Sequence, residues 1–513
     1  MCCLLLAAPA LTAPVLGLGQ NFTGGTLGIE VFERPPDSNG AVGPAHFVEL
    51  INGRFSVYNK TDAVRVMSIS DLTFWSRAGL TIPSNWIVSD PRLIYDPTVQ
   101  RWFATQIDDD PTGSINTNRF LLAVSVTADP MGPWKGVAFA GDPSALYFAD
   151  FPTLGLDAQG VYLSGDMFDA QDNGVGASFF SIPKADLLGS PPSLARLSSF
   201  GIMSYSERGD VLQPAVALDG SSNANILAAG HLGLDLLPHF TFKASHVIGP
   251  GAASATLSDP ATIAVDSYSV PINPPQPDGT TNVDDGDARI SSMVYQVGGV
   301  LFAVHGTEIS RRAAIQWFRI SATNYSILES GAIADTNLDL FYPSIAANTN
   351  GTLVIAFNGC STNTFISSYA VAGRTTNGVT TFGKFLLLKS GAASYHDSGG
   401  ISRWGDYSTT SVDPVDPTRF WTIQMVPTGR NVFSTQITEL LTAPPPLTIT
   451  QTNGDLLVCW PIFTGLQLEA ASDPFASASW SPVLQSVFTN ANRLCVLVPA
   501  SGEQQFFRLG EEP

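Results

Sequence analysis

Short runs of five or six small, apolar and β-branched residues recur along this chain. Each is followed by a turn rich in Asp, Asn or Gly and then by a longer, more apolar run. The clearest copy is Asp90 to Gln106, DPRLIYDPTVQRWFATQ: a strand, a turn at Asp96-Pro97, and a second strand opening on Arg101-Trp102-Phe103. The same grammar starts at Ser38, Asp90, Asp150, Leu212, Asp287, Phe341 and Arg403, at spacings of 52, 60, 62, 75, 54 and 62 residues. Self-similarity at long period marks a repeat architecture. Two further strand-like runs follow in most copies, such as Arg119 to Thr127 and Lys135 to Ala140, with no helical period between them. Four strands per copy and seven copies predict an all-β chain folded as a seven-bladed β-propeller. Known propeller repeats run about 40 to 50 residues, so these blades carry longer loops.

The last copy is one strand short, with runs at Tyr407 to Val412, Phe420 to Met425 and Asn431 to Leu440. A strand from the N-terminal side, Leu27 to Phe32, is expected to complete it and so remove an open sheet edge. Ala443-Pro444-Pro445-Pro446 reads as a stiff linker at residues 443–446. Beyond it, residues 447–513 form a separate small β-sandwich, with strands expected at Leu447–Gln451, Asp455–Trp460, Gly465–Ala470, Trp480–Leu484, Leu494–Pro499 and Gln505–Leu509. The propeller is assigned residues 20–442. Residues 1–19 resemble a signal peptide, an apolar core followed by small residues but without a positive start. That run is too short and Pro-interrupted for a membrane span, so no transmembrane segment is expected. The location expected is secreted or cell surface, and the protein a monomer.

Charge narrows the partners. The chain has 25 Lys and Arg against 44 Asp and Glu, a net charge of −19. Phosphate backbones would be repelled, so no nucleic-acid partner is expected. Of the cysteines, Cys459 and Cys495 both fall in strands of the small module. A disulfide between them suits a small domain in an oxidising compartment, and two buried free thiols are the alternative. No cofactor is firmly implied. Asp284-Asp285-Gly286-Asp287 and Asp108-Asp109-Asp110 are oxygen clusters of the type Ca²⁺ takes, without EF-hand spacing.

In a propeller, the loop leading into each inner strand and the loop between the second and third strands open on one face. The first set supplies Asn39, Asp90, Arg92, Asp150, Gln213, Asp287, Arg289, Tyr342, Arg403, Trp404, Asp406 and Tyr407. The second supplies Asp108, Asp109, Asp110, Asp166, Asp169, His231, Glu308, Arg311 and Arg312. A chain with only 13% charged residues thus gathers carboxylates, arginines and aromatics at one rim. Recurring Asp residues also hold turns, so Asp90, Asp150 and Asp287 have a structural reading beside the functional one. Arg92, Arg289 and Arg403 stand outside the repeat grammar. Their planar forks suit a carboxylate ligand, or else a neighbouring Asp.

Ser125 to Trp134, SVTADPMGPW, is similar to the Asp-box turn of sialidase-like propellers, with Ser125, Asp129, Gly132 and Trp134 in roughly the right order. The SNGAVGP, SDPRLIYDP and RWGDYS segments resemble those of uncharacterised secreted bacterial propellers. The C-terminal module resembles a β-sandwich of secreted Verrucomicrobia and Planctomycetes proteins, on Trp460-Pro461, Leu466 to Glu469, Trp480 and Phe506-Phe507-Arg508-Leu509. What the sialidase resemblance implies is a glycan ligand. The rim is expected to bind an extracellular carbohydrate, with Arg92, Arg289, Tyr342, Arg403 and Trp404 as contacts. The alternatives are a sialidase-like glycoside hydrolase and a protein-binding scaffold at the cell surface. Hydrolysis needs two carboxyl groups. The catalytic candidates are Asp90, Asp150, Asp287, Glu308 and Asp406, with Tyr407 or Tyr342 as a Tyr nucleophile.

Overall fold

The computed structural model describes residues 13–512, apart from 113–117, 223, 233–237, 281, 398–399, 445, 474–479, 491 and 501–504. Antiparallel four-stranded units follow one another along the chain, as the pattern predicts. Their first strands are Asn39–Val42, Ile87–Asp96, Phe148–Leu156, Asp210–Pro214 (continued by Val216–Ala217), Tyr295–Val297, Asp339–Ala347 and Thr409–Val412. Each lies against the first strand of the next unit, and the last lies against the first, so they form a closed ring around an axis. Outer strands such as Arg101–Asp109, Arg119–Ser125 and Trp134–Ala140 continue each sheet outward. The second strands are buried along most of their length. Their side chains fill the space between neighbouring sheets, as Phe103 and Leu163 do.

The ring closes differently from the sequence expectation. The strand completing the last unit is Gly17–Thr26, paired antiparallel with Val432–Leu441 from Gly17↔Leu441 to Thr26↔Ser434. Leu27 to Phe32 cannot serve. It folds back on itself, with Gly28 at φ 81° donating to the Val31 carbonyl, and leaves Ile29 and Phe32 exposed. The glycines explain the choice: a Cβ at Gly19 would collide with Glu439, and one at Gly24 with Thr435.

The boundary at residue 19 moves as well. Val15, Leu16 and Leu18 are buried, and Leu18 donates to the Ile462 carbonyl at 2.7 Å. Leu16 and Leu18 join the core of the ring, whereas Val15 joins the core of the C-terminal module. Residues 13–19 therefore belong to the fold and tie the two parts together. Residues 1–12 of the signal-like segment, and Pro445 of the linker, lie outside the described residues. No described helix is long and apolar enough to cross a membrane.

The C-terminal module has two sheets. Thr448–Thr452, Asp455–Pro461, Arg493–Pro499 and Phe488–Asn490 make one, and Leu466–Ala471, Phe506–Glu511 and Ser481–Pro482 the other. Trp460, Val458, Leu468 and Phe507 pack between them. Cys459 and Cys495 sit directly opposite one another on adjacent strands and form a disulfide.

Candidate functional site at the mouth of the ring

The first strands share a device that shapes the axis. Four of them carry a bulge near their start, at Ser89/Arg92, Asp150/Thr153, Asp210/Gln213 and Phe341/Ser344. In each, one residue takes positive φ: Asp90 at 58°, Phe151 at 51°, Val211 at 54° and Tyr342 at 46°. Aromatic and β-branched residues pay for that geometry, so the surroundings must enforce it. Three of the four precede a proline, a residue that sheets accommodate at bulges. The residue after each bulge then bonds to the neighbouring unit. Arg92 Nε donates to the Pro152 carbonyl at 2.8 Å, Thr153 Oγ1 to that of Leu212 at 2.7 Å, and Gln213 Nε2 to that of Ile290 at 2.9 Å. A belt of hydrogen bonds thus links successive units beneath the mouth.

Arg92 does more than join this belt. It is 1% exposed, its Nη1 donates to the Ser291 carbonyl at 3.1 Å, and its Cζ lies 3.4 Å from the centre of the Tyr407 ring. Phe151 stands against both, edge-on to Tyr407 at 5.6 Å. The Tyr407 hydroxyl donates to the Pro91 carbonyl at 3.0 Å. One arginine and two aromatic rings from separate units therefore close the axis.

Above this plug lies an acidic cluster. Asp90 is buried; its Oδ2 accepts from Phe151 N at 3.2 Å, while its own N–H donates to Asn52 Oδ1. Asp37 is also buried, accepting from Asn52 Nδ2 at 2.7 Å and from Asp406 N at 3.0 Å. Asp406 pairs with Arg403 Nη2 at 2.9 Å, and Arg289 pairs with both Asp287 and Asp166. Asp150, Asp284, Asp287 and Asp406 remain partly open to solvent, as does Arg289, and Arg403 is exposed. Asp285 is 3% exposed, and among the described residues neither its carboxylate oxygens nor the buried Tyr342 hydroxyl has a hydrogen-bond partner. Both line a cavity of about 20 Å³ with Asp287, Arg289 and Asp406, room for about one water.

A strap delivers part of this cluster. Residues 269–294 run from the end of Ala261–Tyr268 across to the loops of the last two units. Gln276 exchanges hydrogen bonds with the Tyr395 backbone, Asp278 pairs with His396 at 2.6 Å, and Val283 bridges to Ser402. Asp284, Asp285 and Asp287 follow directly. The strap falls within the longest repeat spacing.

The mouth thus gathers Asp90, Asp150, Asp287, Asp406, Tyr407, Arg92, Arg289, Tyr342 and Arg403 at one end of the ring. Their surroundings differ from the sequence expectation. Arg92 and Tyr407 are sealed in the plug, and Trp404 is buried with its Nε1 donating to Asn358 Oδ1 at 3.1 Å. Neither Arg92 nor Trp404 presents a free face to the mouth. Glu308 lies opposite Ala313 on its hairpin, and among the described residues no hydrogen bond or ion pair joins it to the cluster. Asp37 was missed, though it stands two positions before Asn39. Asn39 itself is structural, accepting from Leu93 N at 2.9 Å. The Asp-box-like segment joins a third to a fourth strand at the end away from the mouth. There Met131 N donates to Asp129 Oδ1, and Trp134 Nε1 to the Pro130 carbonyl. Among the described residues no group of three or more His, Cys, Asp or Glu side chains is placed to hold a metal ion.

Burial, reinforced by neighbouring carboxylates, keeps protons on this cluster. Burial and then Asp406 push Asp37 up to about 8, and burial and then Asp284 push Asp285 up to about 8. Burial raises Asp166 to about 7 against the pull of Arg289, and raises Asp90 and Asp406 as well. A carboxyl whose pKa rises on folding from about 4 stabilises fully below that value, and the gain is lost as pH climbs through the folded pKa. Stability is therefore expected to fall between about pH 5 and pH 8.5, by a few kcal/mol in total. Asp285→Asn removes one of these protonations without removing a hydrogen bond. Urea unfolding at the two pH values should show a shallower slope in this variant, and an unchanged slope would refute the assignment.

No protein-family model and no curated protein matches the chain. Solved structures similar to it include a protein of unknown function from Dyadobacter fermentans, at 12% identity over 71% of this chain and 97% of that one, with a TM-score of 0.38. An alpha-L-arabinofuranosidase from Fusarium graminearum is similar at 9% identity over 82% and 98%, with a TM-score of 0.39. A subtype N10 neuraminidase-like protein of a little yellow-shouldered bat isolate from Guatemala matches at 10% identity over 61% and 91%, with a TM-score of 0.28. The propeller assignment rests on the strand pairing and ring closure of this chain itself.

Proposed function

We propose that the mouth binds a neutral carbohydrate outside the cytoplasm, without covalent chemistry. The observation that carries this reading is the alternation on its open rim. Carboxylate acceptors at Asp150, Asp284, Asp287 and Asp406 stand among guanidinium donors at Arg289 and Arg403. A sugar hydroxyl both donates and accepts, so a rim offering both partners suits a polyol. Each open arginine is already matched by a carboxylate and further acids surround them, which disfavours an anionic sugar. The disulfide and the apolar N-terminus support an extracellular site.

A second reading, a glycoside hydrolase, is favoured by Asp37, which burial and Asp406 push up to about 8 within the cluster. An acid that stays protonated near neutral pH is what leaving-group departure needs. One experiment separates the two: the purified protein is titrated calorimetrically with neutral and acidic oligosaccharides while reducing-end release is assayed in parallel. Binding of neutral chains without release is expected. Arg403→Ala should weaken it about fivefold to tenfold, since a charged hydrogen bond and the positioning of Asp406 are lost together. Release that disappears in Asp406→Asn would transfer the site to the hydrolase reading. Absence of any binding would sink both.

A further inference from the structure

The opposite end of the axis holds a second, chemically different cavity of about 270 Å³. Its walls are the far ends of the first strands and the turns that follow them, including Val42, Tyr95, Leu218, Tyr295, Val297 and Val412. It is separate from the mouth, because Arg92, Phe151 and Tyr407 close the axis between them. The parallel pairing of Val216 with both Leu156 and Tyr295 draws three first strands together at this end and firms one wall.

We propose that this cavity is a binding site for a small, uncharged aromatic or alicyclic molecule carrying a single hydrogen-bonding group. The polar side chains around it are already committed to their own turns. Asp219 accepts from Ser221 N and Gly298 N. Asp413 accepts from Val415 N and Asp416 N, pairs with Lys60 and receives Trp421 Nε1. Asn348 accepts from Asn350 N and Thr352 N and donates to the Pro417 carbonyl. Gln296 is bound on both sides, by Asn225 and Ser221. Each already has hydrogen-bond or ion-pair partners outside the cavity. The phenols of Tyr95 and Tyr295 are different: both residues line the cavity, and among the described residues no hydrogen bond engages either hydroxyl. Burial alone pushes the Tyr295 pKa up, so it stays a neutral donor and acceptor. An apolar chamber with a few convergent polar groups is the usual form of a small-molecule site, and this volume, just below the usual range, suits one or two rings. A charged ligand would find apolar walls and no counter-charge that is not already used.

The test uses the full chain and a neutral probe, N-phenyl-1-naphthylamine, whose fluorescence rises in apolar surroundings. Saturable binding at one equivalent is expected, with displacement by 2-naphthol but not by glucose. Leu218→Trp fills the cavity and should abolish binding while leaving the oligosaccharide response of the mouth unchanged. Tyr295→Phe, which removes a hydroxyl without altering volume, should weaken 2-naphthol about fivefold and leave naphthalene unaffected, the value of about one hydrogen bond. Should Leu218→Trp fail to fold, the Tyr295→Phe comparison decides. Non-saturating fluorescence, binding unchanged in a folded Leu218→Trp, or equal losses for naphthol and naphthalene in Tyr295→Phe would each overturn the proposal. So would dye exclusion accompanied by self-association of the chain, which would make this face a protein interface instead.

Discussion

A chain that begins at Gln20 is expected to be severely destabilised relative to one that begins at Ala13. The first truncation removes Val15, Leu16 and Leu18, all buried, together with the strand pairs Gly17↔Leu441 and Leu18↔Leu440. Complete burial of such side chains contributes about 1.5 to 3 kcal/mol each, so the loss is about 6 kcal/mol before the hydrogen bonds to Ile462 and Thr464 are considered. That is comparable with the whole stability of many domains. Urea unfolding followed by tryptophan fluorescence reads it directly, and equal midpoints for the two truncations would show that the segment is not part of the fold. The same comparison constrains processing: a mature chain cut at residue 19 would have lost the start of the strand that closes its ring, Gly17 to Gly19, and the contacts that seat its C-terminal module.

Arg92→Met is expected to cost about 3 to 5 kcal/mol, the penalty of breaking a buried charged network from one side. Methionine fills much of the volume but leaves the Pro152 carbonyl without the Arg92 donor and the Ser291 carbonyl with Gln213 alone. It also removes the cation from the face of Tyr407. Arg92→Lys should fare little better, because a single ammonium cannot reach two carbonyls and cover a ring at once. The pH dependence carries a second signature. Among the influences on Asp90, burial and three carboxylates favour the protonated form while Arg92 favours the ionised one. Without Arg92 the Asp90 carboxyl holds its proton more tightly, so the variant should lose more stability between pH 5 and pH 8.5 than the wild type does. Chemical unfolding at both pH values measures this, and a uniform loss across that window would mean that Arg92 acts through packing alone.

The sheet-forming repeat was legible because it depends on local alternation and turn chemistry, which a single chain displays openly. Strands such as Arg101–Asp109 and Asp455–Pro461 fall within a few residues of the runs that predict them. The closing strand lies one segment before the expected Leu27 to Phe32, in the glycine-rich run Gly17–Thr26. Only the close approach of Glu439 and Thr435 reveals why that run needs glycine. The mouth was legible as a set of residues but not as an arrangement. Arg92, Arg289 and Arg403 look equivalent in sequence, yet one is a buried plug and the other two are rim ion pairs. Contacts between units separated by 199 residues, as for Arg92 and Ser291, have no local signature. Trp404 likewise gives no sign in sequence that its ring turns inward to Asn358.

The strap across the mouth bears on how such a protein changes over time. It brings Asp284, Asp285 and Asp287 to the rim, yet the anchors that hold it, at Tyr395, His396 and Ser402, lie in loops rather than in the ring strands. The hydrogen-bonded belt at Arg92, Thr153 and Gln213 takes only the C-terminal end of the strap, where the Ile290 and Ser291 carbonyls accept from Gln213 and Arg92. The stretch from residue 269 to Asp287, which precedes those acceptors, can therefore be replaced, lengthened or recombined without unpicking the frame beneath it. Ligand preference in this architecture is free to drift on a graft while the scaffold stays under separate selection.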